Sequence, residues 1–201
     1  SIHGTHNVRF RDSVLFDCIG HGVYLQDGSE RHNEITGNLA LLSRKAHSRR
    51  LLSATQPLFD REQNSESDPH DANLVDEFTA DLTLPSTYWI TNLDNIVEYN
   101  TAAGSEGHGF WLHSNAGGWQ PPPRISYNRA HSSLRSGIMS NARPRFFPPA
   151  RILGWTAYKN REWGAWLRAY GASYLERMAI ADNWRGVYLA SEGMIHCSTC
   201  V

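Results

Sequence analysis

The sequence predicts an all-β protein with the fold of a single-stranded parallel β-helix, in which each turn adds one strand to each of about three parallel sheets. One unit recurs along the chain: an Asn, a bend, a Gly and three or four strand residues. Copies run from Asn95 to His113, Asn128 to Met139, Asn160 to Leu167 and Asn183 to Leu189, with an imperfect copy from Phe16 to Leu25.

The spacing of the units supports the same fold. Gly109, Gly137, Gly164 and Gly186 lie 28, 27 and 22 residues apart. A period in the twenties with short strands and almost no helical pattern is typical of a β-helix. Leucine-rich repeats share this period, but their Leu-x-x-Leu-x-Leu frame is absent. A β-sandwich is a weaker alternative, because it does not require the recurring unit.

Taken in order, the chain shows two strand-rich units over residues 1–42, then a long loop insertion at about 43–86, and strands again from Thr87. The loop is basic first and acidic later. Its Asp68, Asp71 and Asp76 could suggest calcium, but they lack the spacing and Gly of an EF-hand, which favours a solvated acidic loop. We expect one domain over residues 1–201, and because solenoid ends need capping, neighbouring domains at both ends of a longer protein.

Composition excludes several classes of function. A net charge of −1 gives no electrostatic case for binding nucleic acid or an anionic membrane. No run approaches the ~20 apolar residues of a membrane span, and the first residues do not resemble a signal peptide. Cys18, Cys197 and Cys200 form no disulfide framework, and the final C-x-x-C predicts plain thiols or a local disulfide.

Alternation along the strands assigns each side chain a face. The first and third residues after each Gly are nearly all apolar and are predicted to point inward: Val23, Leu25, Phe110, Leu112, Ile138, Ser140, Ala165, Leu167, Val187 and Leu189. The second and fourth are predicted to point outward: Tyr24, Gln26, Trp111, His113, Met139, Asn141, Trp166, Arg168, Tyr188 and Ala190. Trp89 joins the outward aromatic column if Thr87–Thr91 is a further rung.

An outward column of aromatic rings beside polar groups favours an extended polysaccharide, since rings stack on sugars and polar groups bind hydroxyls and carboxylates. We predict that Tyr24, Trp111, Trp166 and His113 contact such a polymer and that Arg135 and Arg168 anchor its carboxylates. Packing of the column under the loop or against a neighbouring domain is an equal alternative.

Glycoside hydrolysis usually requires two carboxyl groups about 5–10 Å apart. The candidate catalytic residues are the carboxylates Asp27, Glu30 and Glu106 and the proton or hydroxyl partners His21, His108 and His131. Any of these could instead form a turn. A lyase would need a base near a group that neutralises a carboxylate, such as Tyr170 beside Arg168. No spacing resembles a zincin or a Walker loop, so the metal ligands are unknown. The bend residues Asn100, Asn128, Asn160 and Asn183 are predicted to be structural.

Several linked motifs in fixed order also resemble a known superfamily. They include Gly20-His21, Asp27-Gly28-x-Glu30, Gly37-Asn38, Thr87-Tyr-Trp-Ile-Thr-Asn92, Ala102-Ala-Gly-Ser-Glu106, Asn128-Arg-Ala-His131, Gly164-Ala-Trp-Leu-Arg168 and Ala181-Asp-Asn183. This set is similar to the β-helix region shared by the cell migration-inducing and hyaluronan-binding protein, the transmembrane cell-surface hyaluronidase and, more distantly, the fibrocystin-like receptors.

The resemblance implies a right-handed, extracellular β-helix, secreted or at the cell surface, associated with hyaluronan depolymerisation. It also implies a possible Ca²⁺ dependence, while the residues themselves show no evident cofactor. Two hypotheses follow. One is a hyaluronidase-like, polysaccharide-active β-helix, and the other is a non-catalytic ectodomain module that binds a glycan or a protein, as in the fibrocystin-like members.

Overall fold

The computed structural model describes residues 1–26, 28–45, 85–113, 119–120, 122–141, 145–146, 149–169, 172–191 and 193–201. Over these residues every helix or strand element is a β-strand, and the parallel sheets stack as a β-solenoid of about five turns. The strands are β1 Arg9–Arg11, β2 Val14–Ile19, β3 Val23–Tyr24, β4 Glu34–Thr36, β5 Leu39–Arg44, β6 Ser86–Ile90, β7 Ile96–Glu98, β8 Thr101–Ala103, β9 His108–Leu112, β10 Trp119–Gln120, β11 Arg129–His131, β12 Ile138–Asn141, β13 Arg145–Phe146, β14 Ala150–Leu153, β15 Thr156–Tyr158, β16 Trp163–Ala169, β17 Ser173–Glu176, β18 Ala179–Ala181, β19 Arg185–Ser191 and β20 Ile195–Ser198.

The strands lie on three sides of the solenoid, as predicted, and we call these sides the first, second and third sheets. The first consists of two separate three-stranded pieces, one of β1, β4 and β7 and, further along the solenoid, one of β14, β17 and β20. The second stacks β2, β5, β8, β11, β15 and β18, and the third stacks β3, β6, β9, β12, β16 and β19. The pairs in these sheets are parallel. A short parallel pair, β10 with β13, lies outside the three sheets.

The inward positions of the third sheet form the centre of the core. Phe110 is fully buried and stacks on Tyr88 of the preceding strand, with ring centroids 4.5 Å apart. Leu112 and Ile138 are almost as deeply buried. Val187 and Leu189 occupy the same inward positions but remain 43% and 41% exposed, because β19 is the edge strand of its sheet.

Stacked asparagines hold the corner between the first and second sheets. The Asn100 Oδ1 accepts hydrogen bonds from the Asn38 N–H and side-chain amide, and the Asn128 Oδ1 accepts the same pair from Asn100. The Asn128 amide in turn donates to the Val97 carbonyl at 2.7 Å. The structural role predicted for the bend asparagines is therefore confirmed, because each one satisfies buried backbone groups of a neighbouring turn.

The structure corrects two details of that prediction. The left-handed backbone falls on the residue before the Asn, for example at Tyr99 and Tyr127, and not on the Asn itself. Asn160 and Asn183 also occupy a different corner, between the second and third sheets, where they form their own ladder. Shorter Asn-to-Gly spacing in the last two units reflects this change of corner.

Trp155 takes the place of the missing asparagine in the turn after Asn128. Its indole is 1% exposed, and its N–H donates to the Ile125 carbonyl. The ring also packs edge-on against Phe110. A large aromatic residue therefore replaces the ladder there while still pairing one backbone carbonyl.

The predicted insertion falls between β5, which extends to Arg44, and β6, which begins at Ser86. Residues 46–84, with Asp68, Asp71 and Asp76, lie outside the described residues, so the loop interpretation is not tested. Cys197 and Cys200 form a local disulfide, one of the two alternatives that the sequence left open, and Cys18 is a free, partly buried thiol whose pKa is raised by burial and by Asp17. The described part of the chain contains no helix long and apolar enough to cross a membrane.

Candidate functional site

The outward face of the third sheet carries a continuous column of large side chains. The strand register pairs Tyr24 with Trp89, Trp89 with Trp111, and Trp111 with Met139. It then pairs Met139 with Trp166, and Trp166 with Tyr188. At the ~4.8 Å spacing of neighbouring strands, these six residues extend over about 24 Å. Trp89 therefore joins the column, as the sequence suggested.

The exposed fraction of these side chains differs along the column. Trp89 is only 6% exposed, Trp111 and Trp166 are partly exposed, and Tyr188 is 40% exposed. Trp166 and Tyr188 stack face to face, with centroids 5.2 Å apart and planes 8° apart. The C-terminal end of the column is thus more exposed than the N-terminal half, which is tightly packed.

Histidines pack around that N-terminal half. His21 stacks on Tyr24 at 5.0 Å and lies 4.8 Å from Trp89, and the ring of His108 meets Trp111 edge-on at 5.1 Å. His113 lies 6.2 Å from Trp89. We call the six residues Tyr24, His21, Trp89, Trp111, His108 and His113 the aromatic cluster. The cluster brings together five site residues that the sequence predicted and adds Trp89.

His21 and His108 play the same structural part in two different turns. The Nδ1 of His21 accepts a hydrogen bond from the Ser86 N–H at 2.9 Å, and the Nδ1 of His108 accepts one from the Ser136 N–H at 3.3 Å. Burial, together with the nearby Arg135 charge, lowers the pKa of His108 to about 3. A neutral imidazole that accepts through Nδ1 carries its proton on Nε2, so His108 is a hydrogen-bond donor and not a proton acceptor near neutral pH.

The indole N–H groups of Trp89 and Trp111 are buried and have no hydrogen-bond partner among the described residues. Their rings are adjacent, with centroids 4.5 Å apart. Leaving a buried donor unpaired costs about 1–3 kcal/mol, so two such groups side by side require an explanation. The cluster therefore offers donors that the folded chain itself does not use.

The predicted carboxylates are not brought together in the described residues. Glu30 is fully buried, and it accepts hydrogen bonds from the Gly4 N–H at 3.0 Å and the Gly28 N–H at 3.1 Å. Glu106 accepts from the Lys45 N–H at 2.7 Å. Glu106 precedes β9 of the third sheet, whereas Glu30 follows β3 of the same sheet. The two carboxylates therefore lie at opposite edges of the sheet, which are separated by the length of a five-residue strand such as β9, about 16 Å.

The other predicted residues lie away from the aromatic cluster. His131 is on the second sheet, where it stacks on Tyr158 at 4.7 Å, and its pKa is lowered by partial burial and by Arg129 and Lys159. Arg135 forms an ion pair with Glu162 at the corner before the third sheet. Arg168 is exposed on β16, two residues beyond Trp166 on the same face.

Asp27 and Tyr170 lie outside the described residues, so their predicted roles are not tested. Where the structure does describe the chain, no three His, Cys, Asp or Glu side chains come close enough together to hold a metal ion. The calcium dependence implied by the resemblance stays a prediction, and the acidic segment with Asp68, Asp71 and Asp76 lies among the residues not described.

Sequence reasoning missed one further column. The residues before each Gly occupy equivalent positions in successive units: His21, His108, Ser136, Trp163 and Arg185. The strand register pairs Trp163 with Arg185. The guanidinium of Arg185 lies 5.0 Å from the Trp163 ring and 4.3 Å from the Trp184 ring. The position before the Gly in the aligned units could have revealed this column.

Taken together, the outer face of the third sheet can stack on planar or weakly polar surfaces and donate hydrogen bonds. It presents partly exposed aromatic rings at one end and indole N–H donors at the other. A paired acid and base is not found among the described residues on this face. The geometry therefore suits recognition of an extended ligand directly, and catalysis only with further groups.

Comparison with known proteins places the chain in a family. The sequence model of the CEMIP beta-helix family matches residues 1–121. The mouse cell migration-inducing and hyaluronan-binding protein is 29% identical over 96% of this chain and 17% of its own length. The human cell surface hyaluronidase CEMIP2 shows the same identity and coverage, and mouse fibrocystin-L is 26% identical over 57% of this chain and 2% of its own length.

This chain therefore spans only about 17% of the length of its first curated relatives. No solved structure shows a significant match to it. The family model covers more than half of the chain, and the β-solenoid described above agrees with its description. The protein accordingly belongs to the CEMIP beta-helix family.

Proposed function

We propose that the outer face of the third sheet binds a hyaluronan-type glycosaminoglycan and that the full-length protein acts on this polymer outside the cell or at its surface. One observation carries the proposal: the unbroken column from Tyr24 to Tyr188, one large side chain on each of six successive strands. Regularly spaced rings match the repeating sugar faces of a linear polymer.

The chemistry beside the column supports the same ligand class. Arg168 lies one outward position beyond Trp166 and can pair with a uronate carboxylate. The names of two relatives refer to hyaluronan or hyaluronidase, which agrees with this choice of polymer. The cell-surface designation of the human relative CEMIP2 also supports an extracellular location.

For hydrolysis, Glu106 is the acid that we propose from this face. The nearest described carboxylate along the same corner is Glu162, two turns further on and thus about 10 Å away along the axis. That separation lies just above the roughly 6.5–9.5 Å typical of inverting glycosidases, and Glu162 is paired with Arg135. A non-catalytic binding module is the second candidate, favoured by the separation of Glu30 from Glu106.

The test uses the full-length protein, hyaluronan oligosaccharides and calorimetry. Trp111→Ala and Trp166→Ala are expected to weaken binding about 5- to 150-fold each, since a lost stacking ring costs about 1–3 kcal/mol where rings stack on nucleic-acid bases. Tyr99→Asn is the matched control, because Tyr99 is an exposed aromatic residue at another corner and Asn tolerates its left-handed backbone. Equal affinity in all four proteins would reject the third sheet as the binding face.

Depolymerisation is measured separately, by the size distribution of hyaluronan incubated with the full-length protein with and without calcium. Cleavage that disappears in Glu106→Gln supports the hydrolase proposal. Binding without cleavage in either condition supports the binding module instead. The lyase alternative is distinguished by the absorbance of an unsaturated uronate in the products.

A further inference from the structure

The aromatic cluster contains more hydrogen-bonding capacity than stacking alone requires. Its two unpaired indole N–H groups belong to Trp89 and Trp111, whose rings are 4.5 Å apart. Trp89 is 94% buried, since its exposed fraction is 6%. These adjacent donors lie on the face for which we propose glycan binding.

The cluster as described is also short of positive charge. His108 accepts a backbone N–H through Nδ1 and is a neutral donor, and the Nδ1 of His21 contacts both the N–H and the carbonyl of Ser86. Arg135 is near His108, but its guanidinium is paired with Glu162. A carboxylate placed here would lose its hydration without a cationic partner among the described residues, which is costly. A neutral carbonyl oxygen can accept two hydrogen bonds at a much smaller desolvation cost.

We infer that the aromatic cluster is a subsite for an acetamido group of the polymer, whose carbonyl oxygen accepts hydrogen bonds from the indole N–H groups of Trp89 and Trp111. The inference rests on the proposed function, because it specifies which sugar substituent this end of the column recognises. The acetamido methyl group packs against the surrounding rings. Since Trp111 is only partly buried, rotation of its side chain opens the donors to the ligand.

Removing one N–H without removing its ring tests this inference. Trp111→Phe and Trp89→Phe are compared with Trp166→Phe, a matched control in the same column that lies outside the cluster. Each full-length variant is titrated with a hyaluronan hexasaccharide and with its N-deacetylated form. A second pair, N-acetylated and deacetylated chito-oligosaccharides, carries the acetamido group without uronates.

We expect Trp111→Phe and Trp89→Phe to weaken binding of the acetylated ligands about 5- to 10-fold, within the range for loss of one hydrogen bond. Binding of the deacetylated forms should change less than about twofold. Trp166→Phe should affect both forms equally. If the cluster variants also weaken both forms equally, the acetamido subsite is wrong, even though hyaluronan binding and the proposed function stand.

If the cluster variants selectively weaken binding of the acetylated chito-oligosaccharide while hyaluronan does not bind, the acetamido subsite stands and the proposed polymer is wrong. If no acetylated ligand binds, the acetamido subsite and the proposed function are both wrong. Because Trp89→Phe could disturb packing, the unmutated protein provides a second readout by NMR of its indole N–H signals. The Trp89 and Trp111 signals should shift on adding an acetylated ligand and not a deacetylated one, and unchanged signals overturn the inference.

Discussion

Phe110 and Trp111 are neighbours in one strand, yet they serve opposite faces of the third sheet. Phe110 is fully buried and stacks on Tyr88, whereas Trp111 is partly exposed and keeps an unpaired indole N–H. The inner face needs no ligand, because its apolar side chains pack against one another. The outer face has ring surfaces and donors that the described chain leaves unused. This difference separates residues that stabilise the solenoid from residues available to a ligand.

The largest effect should come from the inner face. Phe110→Ala is expected to lower the free energy of unfolding by about 3–5 kcal/mol, because it leaves a cavity beneath Tyr88 and Trp155. Denaturant unfolding measures the change. Trp111→Ala is the control on the opposite face of the same strand and should cost clearly less. Equal losses for the two variants would contradict the division between the faces.

Breaking an asparagine ladder should have the next largest effect. Asn128→Ala is expected to cost about 2–4 kcal/mol, because it leaves the Asn100 N–H and the Val97 carbonyl without their partner in the buried corner. Arg129→Ala, at the adjacent exposed residue, is the matched control and should change stability by less than about 0.5 kcal/mol. Thermal unfolding followed by circular dichroism compares them, and similar values for both would show that the ladder contributes little.

The free energy of unfolding should depend on pH because His108, on the outer face, has a lowered pKa. Its pKa is lowered to about 3 in the folded protein, so protonation favours the unfolded chain once pH falls below about 6.5. The folded state should lose about 2 kcal/mol between pH 7 and pH 5 from this group alone. His108→Asn, whose Oδ1 takes the place of Nδ1 as acceptor for the Ser136 N–H, should flatten that part of the stability curve. An unchanged pH dependence in His108→Asn, measured by urea unfolding, would show that His108 can be protonated in the fold.

The smallest effect on stability is expected at the exposed end of the outer face. Trp166→Ala should lower the free energy of unfolding by less than about 1 kcal/mol, because the side chain is partly exposed and stacks mainly on Tyr188. The same variant should still weaken oligosaccharide binding about fivefold or more. Urea unfolding and calorimetry on one preparation compare the two quantities. A large loss of stability with unchanged affinity would make Trp166 a structural residue.

Much of the fold could be predicted because the repeating unit can be recognised directly in the sequence. The distances between glycines fixed the period, and alternation around them placed Phe110 inside and Trp111 outside. The alternation also predicted the aromatic column, including Trp89 across the long insertion. Such inferences succeed because strand side chains alternate with period two and parallel turns repeat the same register.

The corners were harder to predict. Asn128 and Asn160 look equivalent in the sequence units, but they belong to different corners of the solenoid. Their distances to the following Gly differ, but the hydrogen bonds are what show which corner each occupies, because any Asn can bond to a neighbouring turn. The replacement of this ladder by Trp155 has no local sequence signal, since its indole finds the Ile125 carbonyl through the packing of two turns.

The sequence alone determined the β-helix period, the inner and outer faces and the family resemblance, because each depends on short-range pattern and linked motifs. Only the tertiary structure decided which candidate residues meet. Glu30 is buried and accepts two backbone N–H groups, and His131 lies on another sheet. The side chains of His21, His108 and His113 pack around Trp89 and Trp111. The physical reason is that contacts between turns join residues more than twenty positions apart, and the hydrogen bonds they form are set by packing and not by neighbours in the sequence.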